Sequence, residues 1–193
     1  LHSARVVLYS VDFEEIASLQ RSGDWAQAGV LLAQAAQTLE SAGADFLVLC
    51  TNTMHIVAPA IEAAVRIPLH HIADPTAGAI QAQGLHTVGL IGTRFTMEQA
   101  FYKDRLTLQH GLQVITPEAT DQDAIHRIIF EELCLGNIVD ASRDNYRAAM
   151  DRLVQRGAQA IILGCTEISL LVTASDCQVP LFDTTALHAQ SAA

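Results

Sequence analysis

Lysine is almost missing from this chain: Lys103 is the only one among 193 residues. With 11 basic residues against 21 acidic ones, the formal net charge is −10. No basic stripe is present to displace counterions, which argues against general nucleic-acid binding. A small anion would have to be held by local amides, hydroxyls and one arginine. A pyridoxal-phosphate mechanism is poorly served too, because Lys103 lies within a charged "FYKDR" and no glycine-rich phosphate cradle is present. Aromatics make up only 5% of the chain while aliphatic residues dominate, which suits helices on a buried sheet better than a β-sandwich. The apolar runs are strand-length, too short to span a membrane. The opening "LHSARVVLYS" has neither the basic start nor the apolar stretch of a secretory leader.

Four cysteines are present, Cys50, Cys134, Cys165 and Cys177, with no CxxC pair, so a zinc ribbon is excluded. Their wide spacing in a chain of this size fits a reduced, cytoplasmic setting better than a disulfide scaffold.

What is there alternates between strand and helix, the mark of a parallel α/β sheet. Strands are expected at 4–10, 45–50, 87–93, 112–118 and 160–165. Helices are expected at 25–44, 54–65, 96–111, 123–136 and 142–157. Two stretches match each other: "GADFLVLCT" (43–51) and "GAQAIILGCT" (157–166), each after an amphipathic helix. Further on, "IPLHHIADPT" (67–76) resembles "VPLFDTT" (179–185). Matched features in the same order point to an internal duplication. The expected fold is two pseudo-symmetric parallel-sheet α/β domains, residues 1–84 with 176–193 and residues 85–175, with an active site in the cleft between them. The first half lacks counterparts of "TVGLIGT" and its helix, so a strand and helix are expected ahead of it.

Each repeat ends a buried strand on a cysteine followed by threonine. In parallel sheets, ligands sit beyond the carboxyl ends of the strands. Backbone N–H groups and a helix dipole there favour a thiolate, and Thr51, Asn52 and Thr53 add donors. Two thiols facing each other could take a proton from one face of a carbon and return one to the other, provided neither pKa lies far from neutral. A single strand-end cysteine is more often a small buried hydrophobe; the paired motif is what favours chemistry. Cys134 and Cys177 lack such surroundings and read as structural.

Other polar residues have plainer readings. His70, His71 and Asp74 could be metal ligands, but spacing alone shows no convergence, so no metal is expected. Asp74 and Asp183 fit helix capping. Arg94 is either a cation for an anionic side chain or a solvent-facing arginine. His188 suits a supporting role or a cap, and His55 a place one turn from Cys50. Glu167 either tunes the neighbouring thiol or complements a helix dipole.

The segments "LCTNTMH", "GCTEI", "SVDFEEI" (10–16), "GTRFTM" (92–97) and "FDTTALHA" (182–189) together resemble the aspartate/glutamate racemase family over essentially the whole chain. The resemblance implies a cofactor-independent two-base racemase of aspartate, glutamate or a broader set of amino acids, usually dimeric. By motif, Cys50 and Cys165 would be the proton carriers. Asn52, Thr53 and Thr166 would hold the α-carboxylate, with Thr51 and Glu167 as further substrate-binding residues beside the cysteines and Thr93 near the far end of the substrate. The family's opening strand and glycine-rich loop have no match here. Cys134 stands where many relatives carry a lysine for a side-chain carboxylate, so the resemblance does not select an acidic substrate. Glu167 replaces the histidine of glutamate racemases, as in the aspartate-type branch. A superfamily isomerase or decarboxylase, or an amino-acid-binding protein, are the alternatives; a binder would not need the thiols.

Overall fold

The computed structural model describes residues 4–193, and they form two compact units. The first takes in the chain through Leu49, Met54–His71 and the last two residues; the second is Cys50–Thr53 with Ile72–Ser191. The division expected from the duplication follows sequence matches. The packing boundaries lie elsewhere, and Leu181–Asp183 pairs within the second unit's sheet.

In the first unit, α1 (Phe13–Ser22) begins where the Asp12 carboxylate accepts the Glu14 and Glu15 N–H groups, and it stops at Gly23 with φ 72°. This capped helix was legible in "DFEEIASLQRSG" but was not expected. Helix α2 (Trp25–Ser41) runs to the turn at Gly43, φ 90°. A short parallel ladder joins β1 (Leu47–Val48) and β2 (Leu69–His70). Between them the expected helix 54–65 divides into a 3₁₀ turn, Thr53–Val57, and α3 (Ala58–Ala64). Pro59 at the start of α3 suits the first turn of a new helix, where a missing N–H costs nothing. The core joins Ile16, Ala28, Leu32, Met54, Val57 and Ile61.

Residues 4–10 do not form the expected strand: they have no regular structure, and Val6 and Leu8 are 77% and 82% exposed. β-propensity yields a strand only where a neighbour completes the ladder, and no described strand pairs with this run.

The second unit opens with α4 (Ala73–Ala82) and then builds a sheet. Strand β3 (Thr87–Gly92) leads into α5 (Arg94–Glu98), α6 (Ala100–Asp104), a π-helical turn (Arg105–Gln109) and β4 (Gln113–Ile115). After these come α7 (Ala119–Glu131), a 3₁₀ turn (Leu133–Leu135), α8 (Asp140–Gln155) and β5 (Ala160–Gly164). The chain then forms α9 (Ile168–Leu171), a 3₁₀ turn (Ala174–Asp176), β6 (Leu181–Asp183) and α10 (Thr184–Ala192). The strands lie parallel in the order β4-β3-β5-β6. The fold class is α/β with parallel sheets. Residues of β3 and β5 are almost wholly buried, as expected of strands covered by helices on both faces.

The expected single helix at 96–111 is broken at Gln99, whose ψ of 148° is extended. The expected helix at 123–136 starts earlier, at Ala119, and its end tightens into the 3₁₀ turn that stops at Gly136, φ 77°.

The units share one local pattern. A helix ends at a glycine of positive φ, Gly43 (90°) or Gly157 (99°), and the following strand donates an N–H to a proline carbonyl. Those bonds are Leu47 N–H to Pro68 O and Ile161 N–H to Pro180 O, both 2.9 Å. Equivalent bonds at matched motifs support the duplication.

Two glycines set the spacing of the central strands. Gly92 pairs with Gly164 at the carboxyl ends of β3 and β5. A Cβ on Gly92 would meet the Gly164 carbonyl oxygen at 2.7 Å, and one on Gly164 would lie 3.0 Å from the Ile91 oxygen. Both obstacles are backbone, which cannot swing aside. Gly78, within α4, meets nothing within 4 Å. Gly92→Ala is therefore expected to destabilise the protein by about 1–3 kcal/mol through overpacking. Gly78→Ala should stabilise it by roughly 0.5–1 kcal/mol through helix propensity. Urea unfolding midpoints with unchanged slope check both signs.

Candidate active site

The glycine pair brings the next residue of each strand, Thr93 after β3 and Cys165 after β5, to the same end of the sheet. Thr93 caps α5, its hydroxyl accepting the Thr96 N–H at 3.3 Å. Thr53, from the first cysteine motif, completes a closed triangle of buried hydroxyls. Its Oγ1 lies 3.0 Å from that of Thr93 and 3.3 Å from that of Thr96, and Thr93 and Thr96 are 3.2 Å apart. Each hydroxyl has one proton to donate, so the ring can satisfy itself and still offer lone pairs or reorient toward a ligand.

Asn52 is tied to the other strand. Thr184 Oγ1 donates to the Leu163 carbonyl at 2.9 Å, two residues before Cys165. With its proton committed, that hydroxyl faces Asn52 as an acceptor, so the amide nitrogen must lie toward it, at 3.0 Å. The flip is thereby decided by the network. The opposite atom, Asn52 Oδ1, is buried with no hydrogen-bond partner. Asn52 is 3% exposed, so this acceptor is withdrawn from bulk water.

Cys165 is 8% exposed, and its thiol donates to Glu167 Oε2 at 3.0 Å. Burial first, and then the neighbouring carboxylate, push its pKa well above the usual thiol value. Cys165 therefore rests as a protonated thiol aimed at a carboxylate. Cys50 is exposed, and both cysteines are free of disulfides. Thr51 and Thr166 are half-buried beside them.

Cys134, read from sequence as purely structural, packs against the core that contains Cys165. Burial and then Glu167 push its thiol up to about 11. Thr96 and Thr184 were not expected at this site. Thr96 was discoverable as the third residue after a Thr cap; Thr184 lies 132 residues from Asn52 and carried no local signal.

The remaining polar candidates are held in structural bonds. Arg94 pairs with Asp123 and lies 3.7 Å from Glu98. Its backbone N–H donates to His126 Nδ1 at 3.1 Å, which puts the proton of the neutral ring on Nε2. Asp183 caps α10, accepting from Thr185 and Ala186 N–H at 2.9 and 3.4 Å. Asp74, expected as a cap, lies within the first turn of α4. It takes a bidentate bond from Arg105, both contacts 2.6 Å, and approaches His110 at 2.9 Å. His71 packs against His55 with ring centroids 4.2 Å apart and planes tilted by 56°, and His188 is buried within α10 instead of capping it. Among the described residues no three His, Cys, Asp or Glu side chains converge as a metal would require.

A strand-tip thiol paired with a carboxylate thus lies at the same end of the sheet as a ring of buried hydroxyls and a buried amide oxygen without a partner. The chain belongs to the Asp/Glu/hydantoin racemase family, which it matches over residues 1–192. It is 59% identical to a candidate Asp/Glu racemase from Yersinia pestis of known crystal structure. That match covers 100% of this chain and 84% of the other, with a TM-score of 0.92. An aspartate racemase homologue from Pyrococcus horikoshii OT3 is 33% identical over 96% of this chain and 80% of its own, with a TM-score of 0.81. The broad-specificity amino-acid racemase RacX of Bacillus subtilis is 26% identical over 153 residues, 79% of this chain. The match spans 65% of the length of RacX.

The bond from Arg94 to His126 gives a pH-sensitive support for Thr93. Burial, then Arg94, lowers the His126 pKa below 6.5. The unfolded chain is protonated first, so this ring contributes stability above pH ~6.5 that is lost as pH falls through the lower folded value. His126→Phe should destabilise by about 1 kcal/mol at neutral pH. It should also flatten the loss of stability between about pH 7 and pH 5, as read from urea unfolding at each pH.

Proposed function

We propose that the protein is a cofactor-independent amino-acid racemase in which Cys50 and Cys165 exchange the α-proton. The observation that carries this reading is the protonated Cys165 thiol bonded to Glu167, in a site that also buries an unpartnered Asn52 oxygen. In the direction where Cys165 is the acid, Cys50 as thiolate takes the α-proton and Cys165 delivers its own to the opposite face. In the reverse direction Glu167 is placed, at 3.0 Å, to receive the Cys165 proton and leave a thiolate base. Charge developing on the α-carbon spreads onto the α-carboxylate, which amide and hydroxyl donors of the 50–53 segment and Thr166 would stabilise.

Asn52 takes a more specific part. Its Nδ2 is committed to Thr184, and its Oδ1 can only accept. That oxygen suits the α-ammonium group of the substrate, leaving the carboxylate to Thr51, Thr53 and Thr166. Thr93, bonded to Thr53, would position the hydroxyl ring toward the rest of the ligand. The substrate is aspartate, glutamate or a wider set of amino acids; Cys134 in place of a lysine favours the wider set. The reliance on free thiols fits a reduced, cytoplasmic setting.

The test is α-proton exchange in D₂O over a panel of L- and D-amino acids, followed by NMR and chiral chromatography. Exchange with inversion is expected for at least one acidic or neutral amino acid. Cys50→Ser and Cys165→Ser should each lower it by about 10²–10⁴-fold, the usual loss for a positioned acid or base. A protein that binds amino acids equally well in both variants, with no exchange in either, would be a binding protein instead.

The thiols should also differ chemically. Iodoacetamide at pH 8 is expected to label Cys50 well before Cys165, because one is exposed and the other is buried and held protonated. Peptide mapping of a labelling time course reads the order directly.

A further inference from the structure

The hydroxyl of Thr184 has no task in its own helix. It stands at the start of α10, where a threonine commonly caps, but that place is taken. Asp183 Oδ1 accepts the Thr185 and Ala186 N–H groups at 2.9 and 3.4 Å. Thr184 is 0% exposed, and valine would fill the same volume with no polar atom to satisfy. Its proton goes to the Leu163 carbonyl at 2.9 Å, and its oxygen receives Asn52 Nδ2 at 3.0 Å.

Those two bonds fix which end of the Asn52 amide faces which way. A hydroxyl has one proton, and while Leu163 holds it Thr184 can meet only a donor. Turning the amide over would set Oδ1 against an oxygen with no proton to give, and would leave Nδ2 buried without an acceptor. The neighbouring residue is held as well: Thr53 Oγ1 lies 3.0 Å from that of Thr93, just after β3. Residues 52 and 53 are thus tied by their side chains to groups in or just after β3, β5 and β6.

The atom left over is Asn52 Oδ1, buried and without a partner. The residues just before it are open, Cys50 exposed and Thr51 half-buried. A buried acceptor without a donor calls for a ligand that brings one. An ammonium group has only donors and a ketone oxygen only lone pairs. The orientation of the amide therefore distinguishes an α-amino acid from the α-oxo acid of the same side chain.

We propose that Thr184 is a positioning residue that sets the preference of the site for α-amino acids over α-oxo acids, by holding Asn52 with its Oδ1 toward the ligand. This rests on the reading of Asn52 as the seat of the α-ammonium group. Without the Thr184 hydroxyl neither orientation is enforced. The amide can then present Nδ2, which repels ammonium and donates to a ketone oxygen.

The test is binding to the full chain by titration calorimetry. L-Alanine, L-leucine and L-glutamate are set against pyruvate, α-ketoisocaproate and α-ketoglutarate, which differ from them only at the α-carbon. The wild type is expected to bind at least one amino acid about tenfold or more tightly than its oxo partner, the effect of a hydrogen bond to a charged group. Thr184→Val should narrow that ratio about tenfold, and Thr184→Ser, which keeps the hydroxyl, should retain it. Thr184→Ala reads the same change should the valine variant not fold. A purely structural loss weakens both ligands of a pair together, so an unchanged ratio in a folded variant without the hydroxyl overturns the proposal. So does a wild type that binds both members of each pair equally, which would mean that water serves Oδ1, or one that binds none of them. Calorimetry needs no turnover. A ratio that falls in Thr184→Val while no amino acid exchanges its α-proton would fail the racemase reading alone; exchange with an unmoved ratio would fail this one alone.

Discussion

The close approach of β3 to β5 at Gly92 and Gly164 is the constraint on which the site depends. A side chain at Gly92 would press directly on a backbone carbonyl, so the strand ends can lie together only without one. The register that pairs these glycines carries Thr93 and Cys165 out of the sheet side by side. Hydrogen bonds then bring in the first cysteine motif. Thr53 joins the hydroxyls of Thr93 and Thr96, and Asn52 reaches Leu163 through Thr184. A residue without a side chain thus determines where several reactive side chains meet.

The two thiols that the sequence presents as equivalent are not equivalent in the folded chain. Cys165 is buried and donates to a carboxylate; Cys50 is exposed. Burial and a neighbouring negative charge both favour the neutral thiol, so their effects add at Cys165. In the proposed reaction such a group is a ready acid, and it becomes a base only when Glu167 receives its proton. Near the thiol motifs, Asn52 Oδ1 is buried without a hydrogen-bond partner.

Much of the scaffold was legible before folding was considered. The strands at 87–92 and 160–164 read clearly because fully buried parallel strands are continuous apolar runs. The helices at 25–41 and 140–155 read from their periodicity and their closing glycines. The duplication was visible in the Cys-Thr and proline motifs, and its physical counterpart is the matched bond to Pro68 and Pro180. The failures were also physical. Residues 4–10 have strand composition but no ladder partner among the described residues, and 96–111 bends at a residue whose side chain gives no warning.

By itself the amino-acid order determined the parallel α/β class, the repeated unit, the family and the two cysteine-threonine motifs. Those depend on local periodicity and on residues adjacent in the chain. Only the tertiary structure decided which thiol is buried and which amide oxygen is left without a partner. It alone decided which hydroxyls close into a ring, and that Cys134 and Tyr146 share the core of Cys165. Burial and hydrogen-bond partnership arise between residues far apart in sequence, such as Asn52 and Thr184, and no local pattern records them.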